Sequence, residues 1–284
     1  MITTRNRVRD LRRTLEVLQE LNPPPMEILI TADGCTDETV EMLKLEKLKS
    51  ETGNLKVIIN EEGQGSVASR DRMMREARGD LVLALDDDSY PEQLNCLQLL
   101  ASIFHLRPGL AIATFPQRTD EYPETLTQSD FGPERPVRSF PNSGAVLRRS
   151  TYLTLPGFEP KFFHMYEEPD YALQCVGAGQ EVWYLPVITI RHHYSGATRS
   201  ELRNHHRHSR NEFWSVALRC PFPQCLGLAA YRIFSQFRYA CKRGIVWAVR
   251  EPTWWWHALG GIPYCLSKRR PIPWVRYQAW LRLP

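Results

Sequence analysis

This 284-residue chain has no long apolar run. None of its stretches approaches the roughly 20 apolar residues that a helix needs to cross a bilayer. The opening Met-Ile-Thr-Thr-Arg-Asn-Arg has no apolar segment of the kind that directs secretion. These absences argue against an integral membrane protein or an exported precursor and make a cytoplasmic protein the expectation. The seven cysteines are odd in number and scattered, which suits neither a disulfide framework nor a paired-Cys zinc site. Cys220 and Cys225 stand closest, with Pro221 and Pro223 between them marking a loop. Internal repeats and low-complexity tracts are also missing. Acids, finally, are scarce at one end. From Gly196 onward only Glu201, Glu212 and Glu251 stand against 15 Lys/Arg, whereas the residues before it hold 29 acids against 21 Lys/Arg. A net charge of +4 therefore hides an acidic first part, suited to a metal-bound nucleotide, and a basic tail suited to an anionic surface.

What is present is enough apolar material, 43% of positions, for one large domain or two small ones. Val8, Leu11, Leu15, Leu18 and Leu21 recur at helical spacing, and Pro23-Pro24-Pro25 must end that helix. Strands are predicted over 27–31, 55–59, 80–85 and 110–114, with helices over 36–48, 66–78 and 94–105 between them. Such alternation implies a mostly parallel α/β sheet flanked by helices. Residues 115–141 lose the pattern in Pro- and acid-rich sequence and read as a substrate-facing loop. A short strand is expected over 144–148, helices over 150–155 and 169–177, and the last sheet segments over 182–191.

The most informative stretch is 81–88, Leu-Val-Leu-Ala-Leu-Asp-Asp-Asp. A buried parallel strand here would release Asp86, Asp87 and Asp88 beyond its carboxyl end, where ligands of such sheets bind. Adjacent carboxylates repel one another, so a divalent cation and a nearby diphosphate would make physical sense of them. A solvated acidic turn before Pro91 is the plainer alternative. A second motif, Gly63-Gln64-Gly65-Ser66-Val67-Ala68, sits between a strand and a helix like a dinucleotide fingerprint. It would make the chain an NAD-dependent dehydrogenase, a remote alternative because Glu61-Glu62 would crowd a pyrophosphate and the three Asp have no part in hydride transfer.

Taken together these residues resemble the family-2 glycosyltransferases of the GT-A fold. Thr3-Thr4-Arg5-Asn6-Arg7 resembles the family's opening nucleotide-binding turn. Ala32-Asp33-Gly34-Cys35-Thr36-Asp37 is similar to its Asp-Asp-Gly-Ser-Thr-Asp turn, with Ala32 and Cys35 replacing an Asp and a Ser. The stretch 65–77, with Arg70-Asp71, resembles a helix usually written with Arg-Asn. Asp86-Asp87-Asp88 is similar to the DxD metal motif, and Asn142-Ser143-Gly144 through Arg148-Arg149 to the acceptor-side strand. Tyr166-Glu167-Glu168-Pro169-Asp170-Tyr171 resembles the catalytic Glu-Asp-x-Asp-Leu segment. His192-His193 and Arg210-Asn211 match later positions.

The resemblance implies a GT-A α/β domain over 1–195 and inverting transfer of a sugar from a nucleotide-diphosphate sugar to a hydroxyl of a glycan or lipid-linked acceptor, as in polysaccharide biosynthesis. Thr4 and Arg5 would contact the nucleotide and Asp33 its base, although Asp33 or Thr36 could instead cap the following helix. Asp37 is expected as a capping or first-turn residue. Asp88 would hold Mn2+ or Mg2+, with Asp86 on the ribose or a bound water, Asp87 beside them, and His192 as a further metal ligand or a buried structural histidine. Arg70 and Arg210 would meet the diphosphate or serve as surface ion-pair partners. Glu168 takes the base position, where most relatives have Asp, with Glu167 as the fallback; both, with Asp170, could instead only line a helix start. That Glu, and a first strand shortened to Met1 and Ile2 before Thr3, leave a nucleotide-sugar-binding protein without turnover as the alternative. A missing first strand would weaken the nucleotide floor.

Residues 196–284 mix Trp247, Trp254, Trp255, Trp256, Trp274 and Trp280 with Lys268-Arg269-Arg270 and other cations. This suits a mostly helical region that touches an anionic membrane surface from its cytoplasmic face. A helical subdomain packed on the sheet is the alternative. His205, His206 and His208 are expected at the surface or facing the membrane, since two are adjacent and cannot share a helix face. No motif points to nucleic acid.

Overall fold

The architecture comes from a computed structural model that describes residues 1–49, 53–194 and 200–284. The first half alternates as its periodicity requires: β1 (Ile2–Thr4), α1 (Val8–Gln19), β2 (Ile28–Asp33), α2 (Thr39–Lys49), β3 (Leu55–Asn60), α3 (Ser66–Glu76) and β4 (Leu81–Asp86). Helix α1 buries Leu11, Leu15 and Leu18, the stripe that threes and fours create, and ends ahead of the prolines. There follow β5 (Ser89–Pro91), α4 (Cys96–Leu106), β6 (Leu110–Thr114), β7 (Gln117–Thr119), β8 (Arg135–Pro136), β9 (Ala145–Arg148), α5 (Arg149–Thr154), α6 (Glu167–Gly177), β10 (Glu181–Tyr184) and β11 (Ile190–His192). The C-terminal helices are α7 (Glu201–Arg219), α8 (Gln224–Arg243), α9 (Ile245–Gly260), α10 (Ile262–Ser267) and α11 (Trp274–Leu281).

Eight strands form one sheet in the order β3-β2-β1-β4-β9-β6-β10-β8. The first four run parallel, whereas β9 enters antiparallel between β4 and β6, so the sheet is mixed and mostly parallel. Strand β1 is short but present at the centre, paired on both sides, and the Met1 amino group donates to Leu83 O at 2.7 Å. A second sheet, β5-β11-β7, lies apart from the first. Its β7 corrects the expected structureless loop over 115–141, which also holds β8 and a 3-10 turn at Pro123–Thr127. Alternation was invisible there because the segments are only two to five residues long.

One core cluster joins α1, α2 and α4 to a face of the sheet, through Leu11, Leu43 and Phe104 with Ile30 and Leu85. Another joins Met73, Tyr152 and Tyr171 to Trp214 of α7 and Trp254 and Ala258 of α9. The C-terminal helices therefore share the main core, and α11 packs on α6 through Leu173, Tyr277 and Trp280. Of the C-terminal tryptophans, Trp254 and Trp280 are buried and Trp256 is 75% exposed. His205 of α7 is not a surface residue: its side chain is 7% exposed and its Nε2 lies 2.8 Å from Glu251 Oε1 on α9. His206 Nε2 reaches the same oxygen at 3.7 Å, so adjacent residues can meet one buried carboxylate when a second helix lies across them.

Candidate active site

The parallel strands β1, β2 and β4 end on one rim, which delivers Thr4, Asp33 and Asp86 to a cleft of about 450 Å³. Asp33 is buried at the end of β2. Its Oδ1 accepts from Asn60 Nδ2 (2.8 Å) and Gln64 N (2.9 Å), and its Oδ2 from Gly65 N (2.8 Å). It clasps the glycine loop and does not cap α2; Asp37 does that, accepting from Thr39 N at 3.1 Å. The amides that a dinucleotide fingerprint would offer a pyrophosphate are thus turned onto a carboxylate. Gly65 holds the loop at φ +94°, and a Cβ there would come 2.7 Å from the Phe163 ring.

Asp86 ends β4, and Asp87 and Asp88 make the tight turn after it, across which the Asp86 amide donates to Ser89 Oγ at 2.8 Å. They are not a solvated turn: Asp87 and Asp88 are buried, and the Asp86 side chain is 31% exposed. Arg70 Nη2 donates to Asp86 Oδ1 (2.5 Å), and Arg7 Nη2 to Asp88 Oδ2 (2.6 Å). Arg7 Nη1 also lies 3.2 Å from Asp87 Oδ1. Burial pushes the Asp87 carboxyl up to about 7 against the pull of Arg7, with Asp88 and Asp86 adding to the rise. Asp88 goes the other way: burial opposes its charge, but His192 and Arg7 outweigh burial and hold it below the usual carboxylate range.

His192 arrives through the second sheet, where it pairs with Ser89 of β5 and Thr119 of β7. Its Nε2 stands 3.3 Å from Asp88 Oδ1. Ligand atoms of Asp86, Asp88 and His192 lie within 4.8 Å of one another. Two carboxylates and an imidazole form a donor set that suits Mn2+ or Mg2+. Asp88 has Oδ2 on Arg7, while its buried Oδ1 faces His192 and takes no hydrogen bond among the described residues, so the residues fit such an ion.

Across the cleft, α6 opens at Glu167. Its carboxylate is 2% exposed, with Oε1 facing Arg70 Nη1 and Asn142 Nδ2, each at 3.4 Å. Burial raises Glu167 above the usual carboxyl range, and burial together with the Glu167 charge raises Glu168. Both line the cleft. Asp170 does not: its Oδ1 takes Ser215 Oγ (2.7 Å) and its Oδ2 takes Gln174 Nε2 (2.7 Å), while Arg219 grips both oxygens at 3.2 and 3.1 Å. It docks α7 onto α6.

Thr4, Arg5, Asp33, Arg70, Asp86 and Asp87 all line this cleft. Arg210 does not. It donates to Phe162 O at 3.0 Å, stacks over Trp214 at 4.5 Å and lines a neighbouring cavity. Sequence reasoning missed Arg7, Asn142 and Arg207 as cleft residues. The first two stand inside quoted motifs, and Arg207, three residues before Arg210, carried no signal of its own.

The sequence profile of glycosyl transferase family 2 matches residues 1–182. No curated protein shows significant sequence similarity to the chain. Among solved structures, it resembles GalNAc-T7 with UDP, GalNAc and Mn2+ at 13% identity and a TM-score of 0.61, over 76% of this chain and 47% of that one. The chain thus spans less than half of that protein. The mannosyltransferase PcManGT from Pyrobaculum calidifontis, in complex with GDP-Man and Mn2+, is similar at 17% identity and a TM-score of 0.58, over 99% and 83%. S. aureus TarS 1-349 in complex with UDP-GlcNAc is similar at 16% identity and 0.63, over 98% and 82%.

Proposed function

Because the chain belongs to glycosyl transferase family 2 and has the GT-A fold, we propose that it moves a sugar, with inversion, from a nucleotide-diphosphate donor to a hydroxyl of a glycan or lipid-linked acceptor. The observation that carries this reading is the Asp86, Asp88 and His192 cluster, which meets through Asp86 a cleft that also holds Glu167 and Glu168. Solved structures of similar fold that contain Mn2+ with UDP or GDP-Man support the same donor chemistry.

Asp88, Asp86 and His192 would hold the cation, which when bound supplies positive charge to a leaving diphosphate. Thr4, Arg5 and Asp33 offer polar groups to the nucleoside, and Arg70 stands where a guanidinium can meet phosphate oxygens. Glu168 takes the proton of the attacking hydroxyl as the new glycosidic bond forms and the nucleoside diphosphate departs from the opposite face. Glu167, tied to Arg70 and Asn142, orients the site around it. Residues 1–195 form the catalytic domain and 196–284 a basic, Trp-rich, mostly helical region that associates with membrane.

No helix among the described residues is long and apolar enough to cross a membrane. Helices α8 and α9 nevertheless expose Leu226, Tyr231, Phe234, Ile245, Val249 and Trp256 beside Lys242 and Arg243. This mixture of exposed aromatic, aliphatic and basic groups suits peripheral contact with the cytoplasmic face of an anionic bilayer.

The test is calorimetric titration of UDP, GDP, dTDP and NAD, each with and without Mn2+. Mn2+-dependent binding of one nucleoside diphosphate, lost in Asp88→Asn, is the expected result. Binding of NAD alone would overturn the reading, and donor binding without turnover on any acceptor would leave a nucleotide-sugar-binding protein.

A further inference from the structure

Beside the cleft lies a second cavity, of about 490 Å³, between α7 and α9. Its walls carry Arg203, His206, Arg207 and Arg210 from α7 with Arg250 and His257 from α9, and no carboxylate is among the described residues that line it. The spacing is helical. Arg203, Arg207 and Arg210 fall on one face of α7, and Arg250 and His257 stand two turns apart on α9. Like charges at such spacing repel, so the arrangement costs stability unless something anionic enters.

No ion pair involves Arg203, Arg207, Arg210, Arg250 or His257 among the described residues. Glu251, wholly buried on α9, already accepts from Trp254 Nε1 at 2.8 Å and faces His205 Nε2 at 2.8 Å. Burial, with Arg203 beside it, holds Arg207 below the usual guanidinium value, and burial with Arg207 does the same to Arg210. The first turn of α7, capped by Ser200, also lines the cavity and adds the partial positive charge of a helix start.

Arg207 lines both cavities. It is half-buried, its guanidinium 5.0 Å from the Phe163 ring, and Phe163, Met165 and Glu168 stand with it in the cleft lining. The cationic cavity thus neighbours the cleft, with Arg207 as their common wall.

We propose that this cavity binds a phosphoryl group carried by the acceptor, a phosphate ester whose anion is held by Arg203, Arg207 and Arg250 while its hydroxyl end reaches toward Glu168. The inference rests on the transferase reading. It assigns the phosphate to the acceptor because the donor's diphosphate has its own place at Asp86, Asp88 and Arg70. Guanidinium forks match pairs of phosphate oxygens. Leu202 and Trp254 give the same cavity an apolar wall for whatever the phosphate is attached to.

The experiment titrates the full chain with glycerol phosphate, with inorganic phosphate, and with vesicles of phosphatidylglycerol or phosphatidylcholine, comparing the wild type with an Arg203→Gln/Arg250→Gln double variant. Mn2+-dependent binding of UDP or GDP is followed alongside. The expected result is saturable binding of the ester, weakened on the order of tenfold in the double variant by the loss of two charged hydrogen-bond donors. Nucleotide binding should stay unchanged, which also shows that the variant folds. Absence of ester binding, or ester binding undiminished in the variant, overturns the proposal. So does a loss confined to phosphatidylglycerol vesicles, which would make the cluster a contact for lipid headgroups. If neither nucleotide binds with Mn2+, the transferase reading fails on its own account, while the ester titration still reports on the cavity.

Discussion

Two carboxylates three apart in sequence show what a residue's surroundings decide. Glu167 and Asp170 are both buried and both belong to one motif, yet Glu167 faces the cleft and Asp170 faces Arg219. Asp170→Ala should leave Arg219 buried without its partner and cost about 3 kcal/mol or more, read as a lowered urea midpoint at an unchanged slope. The motif made Asp170 legible as an important acid. Its partner lies 49 residues away on another helix, which no local pattern reveals. Glu168 carries a different expectation. Its carboxyl is raised by burial and by Glu167, so it stays protonated above the ordinary carboxylate range and becomes a base only as pH rises through its own value. The acid limb of kcat/KM against pH should therefore lie above the ordinary range of a glutamate. Glu167→Gln should shift that limb to lower pH, because one of the charges opposing ionisation is gone. A limb that does not move would remove Glu168 from the role of base.

Among the elements, those with a clear period or apolar run were legible, short ones such as β9, α5 and β10 included, whereas β5, β7, β8 and the bounds of α7 to α9 were not. Helices α1, α3 and α4 and strands β2 to β4 and β6 are long enough to show a period, and their prediction erred only at the ends. Strands β5 and β7 have three residues each and no period to read, yet with β11, which was expected, they carry His192 to Asp88. His192 was reached through family likeness, and its geometry depends on a sheet that sequence pattern could not show. The loop before α3 is a second case. Asp33 and the glycines looked like separate motifs and prove to be one clasp. Gly65→Ala would force a side chain into positive φ against Phe163, at a cost of about 1–3 kcal/mol. Such a variant should show a lower melting temperature and weaker nucleotide binding. Unchanged values for both would mean that the loop relaxes freely and that the clasp does not shape the cleft.

At the scale of the molecule, the charge asymmetry visible in composition becomes spatial. The acids gather at strand ends, whereas cations of the last third line a cavity and edge an exposed apolar face. Tryptophan content misled in part, because Trp254 and Trp280 serve the interior and leave Trp256 as the exposed ring of the triple. Vesicle association should therefore depend on Trp256 and on α8, and not on the buried rings. Trp256→Ala together with Phe234→Ser should reduce co-sedimentation with phosphatidylglycerol vesicles, and the remainder should fall with added salt as charges are screened. Retention of full binding by that double variant would place the membrane contact elsewhere.

Arg7 and Arg70 have one more implication. They already supply the counter-charge for Asp86, Asp87 and Asp88, so a cation held by those carboxylates would extend a positive cluster that the chain itself has begun. A diphosphate would then answer metal and arginines together, and coupling through that shared charge would make each of metal and nucleotide tighten the other by the same factor.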